Sequence, residues 1–434
     1  MDKPSHWLQD PAGPGGSYRE DFVPFTGFTF DNLAHRIVQA VRNLPYEVDG
    51  IMTTMDPLLA GVAQAAEILG LRTAPVEAYR RSTDKYQTRR LQQTANAFTV
   101  TSLDELILRL ERALEPLTYP LIVKPTLSHG SHGVSKVNNE TELVNAVTHA
   151  LSSVACQHEL FGLQDAHIGE VLVETYCDGP EVDVNFVLWG GDVLFSEVSD
   201  NFPCSGDDVV TESTTEQFIE TGSVWPSGLP SDETRMLQTE LLAVVKQLGF
   251  DSGVFHVEAR VQHSDAKWYR DKDNVRDLLL GMRTEDSLRP RPFLLEINPR
   301  PPGHSDLMGS AYVNGVDYYA LHIMQVIGDE FRFRSLAHGF RNGSQFHYAT
   351  TPLPLHSSTG GLMPHDVDLF SAGLADHTVM FRPFFRAGDR IPNPIDLRYP
   401  WFGLIMLCSR KSRRHLLEIV ATAYNRGLIK LGPS

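Results

Sequence analysis

The chain has 434 residues, 42% hydrophobic and 21% charged, which suits a globular protein of two or three domains with a large buried core. Its formal net charge of -16 excludes a general nucleic-acid binder, because phosphate backbones demand a basic surface; a small anion held by a few focused cations stays open. Four cysteines, Cys156, Cys177, Cys204 and Cys408, stand far apart with no CxxC pair, the usage of reduced thiols in a cytoplasmic compartment.

Residues 1–24 are polar, rich in Pro and Gly and free of an apolar signal core, and predict a flexible arm. Helical spacing follows in "DNLAHRIVQAVRNL", then a buried strand in "VDGIMTT". The next helix, "DPLLAGVAQAAEILGL", has Asp56 as its expected cap and Pro57 in its first turn. A strand between helices predicts a small α/β unit over 25–88, shortened because no opening strand and glycine turn precede it. The chain turns helical again at "STDKYQTRRLQ". Over 89–170, "YPLIVKP" and "VSKV" read as strands joined by the loop "TLSHGSHG", with the helix "NETELVNAVTHALSSV" after them.

A larger unit runs from 171 to 434. It opens with the strand "VLVETY" and the hairpin "EVDVNFVLWGGDVLFSEVSD", turned by its Gly-Gly pair. The amphipathic helix "SDETRMLQTELLAVVKQLG" and the strand "SGVFHVEARVQ" follow. Residues 264–292 are charged and predict an irregular surface excursion. "RPFLLEINPR" is a strand, "VDYYALHIMQVIG" a helix, and "SRRHLLEIVATAYNRG" a closing helix. The longest apolar run, "WFGLIMLC" at 401–408, is too short to cross a bilayer and reads as a buried strand, so no membrane partner is expected. Antiparallel strands mixed with helices predict an α+β architecture.

The chemistry lies along the strands. In "FLLEINPR", strand alternation projects Glu296, Asn298 and Arg300 from one face. Hard cations take carboxylate and amide oxygens, so Glu296 and Asn298 suit Mg2+, with Arg300 beside it to grip a phosphoryl oxygen. An exposed strand end with a weak surface ion pair fits the same residues equally well. "GVFHVEARV" adds Glu258; if its strand neighbours the first, Glu258 and Glu296 bridge one or two Mg2+ ions between phosphates. His256 shares that face and reads as a packed, hydrogen-bonded histidine rather than a ligand.

Neither GxxxxGK[ST] nor GxGxxG occurs. The loop in "VKPTLSHGSHGVSKV" instead offers Gly130 and Gly133 for an anion nest, with hydroxyls from Ser128, Ser131 and Ser135. Lys124 ends an apolar strand and points to the same region, a snorkelling lysine being the alternative. In "VLVETYCDGPEVDV", Glu174 and Glu181 flank an Asp-Gly-Pro turn, where they suit an adenine edge and ribose hydroxyls or are solvated loop acids. GxSxG and a Cys/His nucleophile signature are both missing.

In this order and spacing, the segments from about residue 50 onward resemble the ATP-grasp superfamily of carboxylate–amine ligases, most of all its amino-acid ligase branch. The resemblance rests on "DKYQTRRLQ", "YPLIVKP", "VETYCDGPEVDV", "ETGSVWPSGLP", "HVEARV" and "EINPRPPG" together. It implies two α+β subdomains clasping ATP. By the same resemblance, Lys85 contacts the phosphates from the nucleotide's far side, Arg300 stabilises the transferring phosphoryl group and the tetrahedral intermediate, and Lys124 reaches the α-phosphate and adenine N7. Ser131, His132 and Gly133 form the phosphate loop, Glu174 and the Tyr176 backbone the adenine hinge, and Glu181 the ribose contact. Glu258, Glu296 and Asn298 hold Mg2+, or Mn2+ in its place. His304 and Asp306 in "PRPPGHSD" are candidates to face the substrate, a turn with no chemical role being the alternative. Arg382, Arg386 and Arg390 are carboxylate binders or solvated surface.

The implied reaction joins a small carboxylic acid to an amine through an acyl phosphate, releasing ADP and phosphate, in a cytoplasmic enzyme of a group where homodimers are common. Two rivals are a biotin-carboxylase-like enzyme that forms carboxyphosphate and a catalytically silent ATP-binding module.

Overall fold

The structure is a computed structural model that describes residues 1–434 except 4, 14, 93–96, 128–130, 132, 161–168, 205, 208–217, 219, 282–286, 345, 355–359, 366–372, 393–400 and 427–434. Helices alternate with sheets in which every strand pair is antiparallel, the α+β architecture expected. Among the described residues, no helix is long and apolar enough to cross a membrane.

The first helices are α1 (Leu33–Arg42), α2 (Leu59–Leu69), α3 (Val76–Thr83) and α4 (Lys85–Leu91). Leu33, Ala34, Ile37 and Val38 recur at helical spacing on α1 and close a small core with Ala65 of α2. Two expectations fail here. "VDGIMTT" forms no strand: Ile51 packs against α1 and α2, but no neighbouring strand pairs with the run. The segment 1–24 is not a free arm, since it holds two 3-10 turns, Trp7–Gln9 and Gly16–Tyr18, and is closed by a bridge between Asp2 and Pro24. Composition measures side-chain burial and is blind to such backbone bonds.

A four-stranded sheet follows, built from β1 (Ala97–Val100), β2 (Leu121–Pro125), β3 (Ser135–Val137) and β4 (Val171–Thr175) in the order β1-β4-β2-β3. Helices α5 (Leu103–Arg112) and α6 (Glu140–Leu160) cover it, burying Leu106, Leu143 and Val147 against Val123 and Val173. Ser102 caps α5 through the Glu105 amide, and Glu105 reaches back to the Thr101 amide.

The remaining chain forms an eight-stranded sheet. Its members are β5 (Glu181–Trp189), β6 (Asp192–Asn201), β7 (Ser223–Trp225), β8 (Gly253–Gln262), β11 (Arg291–Asn298), β12 (His347–Pro354), β14 (Thr378–Pro383) and β16 (Trp401–Ser409), ordered β11-β8-β5-β6-β7-β12-β16-β14. Short pairs β9 (Ala266–Arg270) with β10 (Arg276–Leu280) and β13 (Gly361–Leu362) with β15 (Arg390–Ile391) stand apart from it. The helices are α7 (Ser231–Gln247), α8 (His304–Asn314), α9 (Tyr318–Val326), α10 (Glu330–Leu336) and α11 (Arg413–Arg426).

Alternation divides this sheet. Val182, Val184 and Phe186 of β5 and Phe255, Val257 and Ala259 of β8 bury against Leu237, Leu241 and Val245 of α7. Their neighbours, Asp183, Asn185, His256, Glu258 and Arg260, must therefore face the opposite side. The stretch 264–292 is more regular than expected: β9 and β10 form a hairpin tied to α11 by Asp271–Arg414 at 2.6 Å and Asp277–Arg413 at 2.8 Å. The turn reading of "PRPPGHSD" is also replaced, because His304 opens α8. Gly309 lets that helix lie on Trp225, where a Cβ would come within 2.7 Å of the indole.

Candidate active site

Between the two sheets lies a solvent-open cleft lined by Lys85, Lys124, Glu174, Glu181, Glu258 and Glu296. One wall is cationic. Asp84 caps α4 by accepting from the Tyr86 and Gln87 amides, and α4 is stitched to β11 where Gln92 bonds Pro292 and Leu294. This fixes Lys85 3.2 Å from Glu296 and Arg89 2.6 Å from Glu174, with the guanidinium 3.9 Å from the Phe293 ring centre. Lys124, last but one in β2, lies 2.8 Å from the other oxygen of Glu174.

Burial opposes the charge of Glu174, which is 1% exposed, yet Arg89 and Lys124 hold its carboxyl below the usual range. Lys124 moves down as well. Burial is the first cause; Glu174 works against it, and Arg89 and Lys85 add to it, so the two directions are consistent: one anion serves two cations with a third nearby.

The floor is a polar grid on three adjacent strands. Glu296 of β11 stands opposite Glu258 of β8, which stands opposite Asp183 of β5; Asn298, His256 and Asn185 form the next row. A bulge between Leu294 and Glu296 makes this possible. Leu294 points into the apolar core, and the extra residue turns Glu296 to the cleft. Nδ1 of His256 lies 2.9 Å from Asn185 Oδ1 and its Nε2 3.5 Å from Glu258 Oε1, the hydrogen-bonded histidine expected. Burial works against its charge, but Asp183 and Glu258 carry it up to about 9. Burial also opposes the charge of Glu258, which His256, Lys85 and Arg300 keep low; Glu296 is pushed up by burial, with Glu258 and Asp56 adding to this against Lys85.

Asp56 does not cap α2. Both its oxygens accept from Arg300 at 2.7 Å, from Nε and Nη2. The Asn298 amide is hemmed in by three carboxylates. One of its terminal atoms lies 3.1 Å from Asp56 and 3.3 Å from Glu296, and the other lies 3.4 Å from Glu258. With the amide nitrogen turned toward Asp56 and Glu296, both contacts become hydrogen bonds that it donates. Among the described residues, no cluster of three or more His, Cys, Asp or Glu takes metal-holding geometry. Two carboxylates and an amide suit an ion that completes its shell with phosphate oxygens and water, the habit of Mg2+.

At the far end Arg260, 4% exposed, donates to Glu181 from Nε at 3.0 Å and Nη2 at 2.8 Å, and to Asp207 from Nη1 at 2.7 Å. Lys136 lies 3.8 Å from the centre of the Tyr176 ring. Gly179 lets the Asp-Gly-Pro turn press on β8, where a Cβ would fall 1.8 Å from the Val261 carbonyl oxygen. In the loop after β2, Ser131 and Gly133 both take left-handed backbone, φ 54° and 74°.

A family model described as an ATP-grasp domain matches residues 117–269, and one described as an ATP-grasp N-terminal domain matches residues 1–73. The ATP-grasp enzyme fsqD of Aspergillus fumigatus is 34% identical over 433 residues, covering 96% of this chain and 72% of that protein. This chain belongs to the ATP-grasp family. Carnosine synthase 1 of Gallus gallus is 25% identical to it over 332 residues, 74% of the chain and 32% of the synthase. The solved L-amino acid ligase from Bacillus licheniformis matches this ATP-grasp chain with a TM-score of 0.60 at 22% identity, over 88% of this chain and 81% of that one, a likeness of fold.

The ATP-grasp cleft gathers most of the predicted residues. Lys85, Lys124, Ser131, Glu174, Tyr176, Glu181, Glu258 and Glu296 all line it. His132, Ser128 and Gly130 lie outside the described residues. Three expectations change. The Tyr176 amide is spent on the Pro120 carbonyl at 3.2 Å, leaving Cys177, which also lines the cleft, as the next amide along a hinge. Both oxygens of Glu174 are taken by cations, so it anchors Lys124 rather than offering a free edge to a base. His304 is exposed at the start of α8, whereas Asp306 is half-buried on the floor. Arg382, Arg386 and Arg390 are exposed, the solvated reading of that trio. Sequence reasoning passed over Arg89, Arg260, Asp183 and Asp56. Arg260 and Asp183 continue the alternation of "HVEAR" and "EVDV"; Asp56 and Arg89 carry no local signal.

Proposed function

We propose that this ATP-grasp chain is an ADP-forming carboxylate–amine ligase, which joins a small-molecule acid to an amine through an acyl phosphate. The observation that carries this reading is the polarity of the cleft between the two sheets: Lys85 and Lys124 confront Glu258 and Glu296 across it. A triphosphate needs both, cations for its oxygens and carboxylates for its metal.

Lys124, braced by Glu174, and Lys85 would hold phosphate oxygens, with Ser131 and Gly133 turning backbone amides toward them. Cys177 and Glu181 would receive the base and the ribose. Glu258, Glu296 and Asn298 would hold Mg2+, which when bound screens the triphosphate and makes its terminal phosphoryl group electrophilic. Arg300, aimed by Asp56, would stabilise the charge that gathers on the transferring phosphoryl group and then on the tetrahedral centre. Fixed charges of this kind need no reorganisation at the moment of reaction, which is why a rigid paired arginine serves better than a free one.

The experiment is to incubate the protein with Mg-ATP, hydroxylamine and a panel of carboxylic acids, following ADP, AMP and hydroxamate. Acid-dependent ADP together with a hydroxamate is the expected result. AMP release, ADP release stimulated by bicarbonate alone, or ATP binding without turnover across the panel would overturn the reading.

A further inference from the structure

The guanidinium of Arg260 is bound on every side. Besides the bonds already described, Nη2 donates to the second oxygen of Asp207 at 3.0 Å, and Nη1 donates to the Cys177 carbonyl at 2.9 Å. Its hold on Glu181 is one-sided. Nε and Nη2 both reach Oε2, while Oε1 has no hydrogen-bond partner among the described residues. Glu181 is half-buried and lines the cleft, as does Cys177.

Asp207 accounts for this asymmetry. An arginine and a carboxylate pair best fork to fork, with one N–H on each oxygen. Here Asp207 takes the fork, Nη1 meeting Oδ1 at 2.7 Å and Nη2 meeting Oδ2, and Glu181 is left the Nε side on one oxygen. Asp207 is itself fixed from several directions. Its amide closes a turn on the Cys204 carbonyl at 3.1 Å, and the Cys204 amide and thiol return to Oδ2 at 3.2 and 3.0 Å. The Tyr176 hydroxyl donates to Oδ1 at 2.7 Å, and Gly206 accepts from Lys136 of β3 at 3.4 Å. The turn is thus pinned to the small sheet, and Arg260 belongs to β8 of the large one. A guanidinium buried only for structure needs one carboxylate, because a second leaves surplus negative charge, which is costly in a buried place. Here the surplus leaves Glu181 with an acceptor to offer.

We propose that Asp207 and Arg260 are positioning residues for the nucleotide's sugar: Asp207 sets the guanidinium so that it grips Glu181 by one oxygen, and the other oxygen is presented to the ribose hydroxyls. The same guanidinium steadies the Cys177 peptide beside the base. The inference rests on the nucleotide placement in the ligase reading and deepens it, since both residues act through Glu181 and Cys177. A sugar without hydroxyls leaves the charged Oε1 without its partner, so the site rejects it.

The test is calorimetric titration of the full chain with Mg-ATP and with Mg-2′,3′-dideoxyATP, which lacks both hydroxyls, in the absence of acid and amine. The unaltered protein should bind ATP at least about tenfold more tightly, the scale of one hydrogen bond to a charged group. Asp207→Asn keeps the side chain's shape but sets an amide NH2 against the guanidinium, which is then released to close on both oxygens of Glu181. It should weaken ATP binding about tenfold and change dideoxyATP binding by less than about twofold, so that the gap closes. A general loosening of the cleft would weaken both nucleotides alike. A gap that persists in Asp207→Asn, an equal loss for both nucleotides, or an unaltered protein that binds both equally overturns the proposal. If Asp207→Asn does not fold, Arg260→Lys, which keeps the charge and loses the fork, is titrated in its place: a closed gap supports the proposal and a persistent one overturns it. An unaltered chain that binds neither nucleotide instead removes the ligase reading, and this inference with it.

Discussion

The two sides of the cleft solve opposite electrostatic problems. On the small-sheet side, Arg89 and Lys124 share the single carboxylate of Glu174, with Lys85 beside them; on the large sheet, Asp183, Glu258 and Glu296 line up in one row with His256 as the cation in the next. Each side alone carries an unbalanced buried charge, which is costly. Facing each other they make a bipolar slot whose imbalance a polyanion and a divalent cation cancel together. What the contrast teaches is that the charges are held short of mutual neutralisation. Lys85 reaches across to Glu296, but Lys124 is kept back by Glu174.

The sharpest way to break this contrast is to take one charge from each side. Lys124→Ala and Glu296→Gln should each lower substrate-dependent ADP release by at least about 100-fold, the scale of losing a preorganised charge, while the circular dichroism spectrum stays unchanged. Near-normal turnover in either would mean the slot is not the reaction site. Next comes the anchor. Glu174→Ala strands two buried cations and should cost about 3–5 kcal/mol in urea unfolding, since breaking a buried pair leaves uncompensated charge. Because Arg89 and Lys124 depress the Glu174 carboxyl in the folded state, its stabilisation is present above the unfolded value of 4.5 and is lost as pH falls through the lower folded value. The stability gap between wild type and variant should therefore be flat from pH 5 to 7 and close in more acid solution.

A smaller effect sharpens the role of the N-terminal helices. Asp56→Ala releases Arg300, and with one partner of a buried charge-assisted bond gone, stability should fall by about 1–3 kcal/mol. Its kcat should fall with KM for ATP nearly unchanged, and an equal rise in KM would show that Arg300 binds rather than stabilises charge in flight. Smallest of all, Asp271→Ala removes a partner of Arg414 at the hairpin, away from the cleft, and should lower the urea midpoint slightly with turnover unaffected.

Much of this was legible in the chain. The alternation in "EVDVNFVLW" and "GVFHVEARV" announces strands with one apolar and one polar face, and with it the shared face of Asp183, His256, Glu258 and Arg260. Elements without such a period were harder. "VDGIMTT" has the composition of a strand but no partner to pair with, and pairing is a property of the fold rather than of the segment. Asp56 looked like a helix cap because caps are local, whereas its actual partner lies 244 residues away. Which hinge amide is free was hidden for a similar reason: it depends on the carbonyl that Pro120 brings to the Tyr176 amide.

The bulge at Leu294/Glu296 has a consequence for how this enzyme tolerates change. Side chains in a strand alternate like letters read in pairs, and Leu295 is the one extra letter, absorbed by the bulge so that Glu296 keeps its place opposite Glu258. Removing it would restore plain alternation from Leu294 to Glu296 and leave every ligand-bearing position downstream in frame. A single-codon deletion at the bulge is therefore a change of length that this strand should absorb.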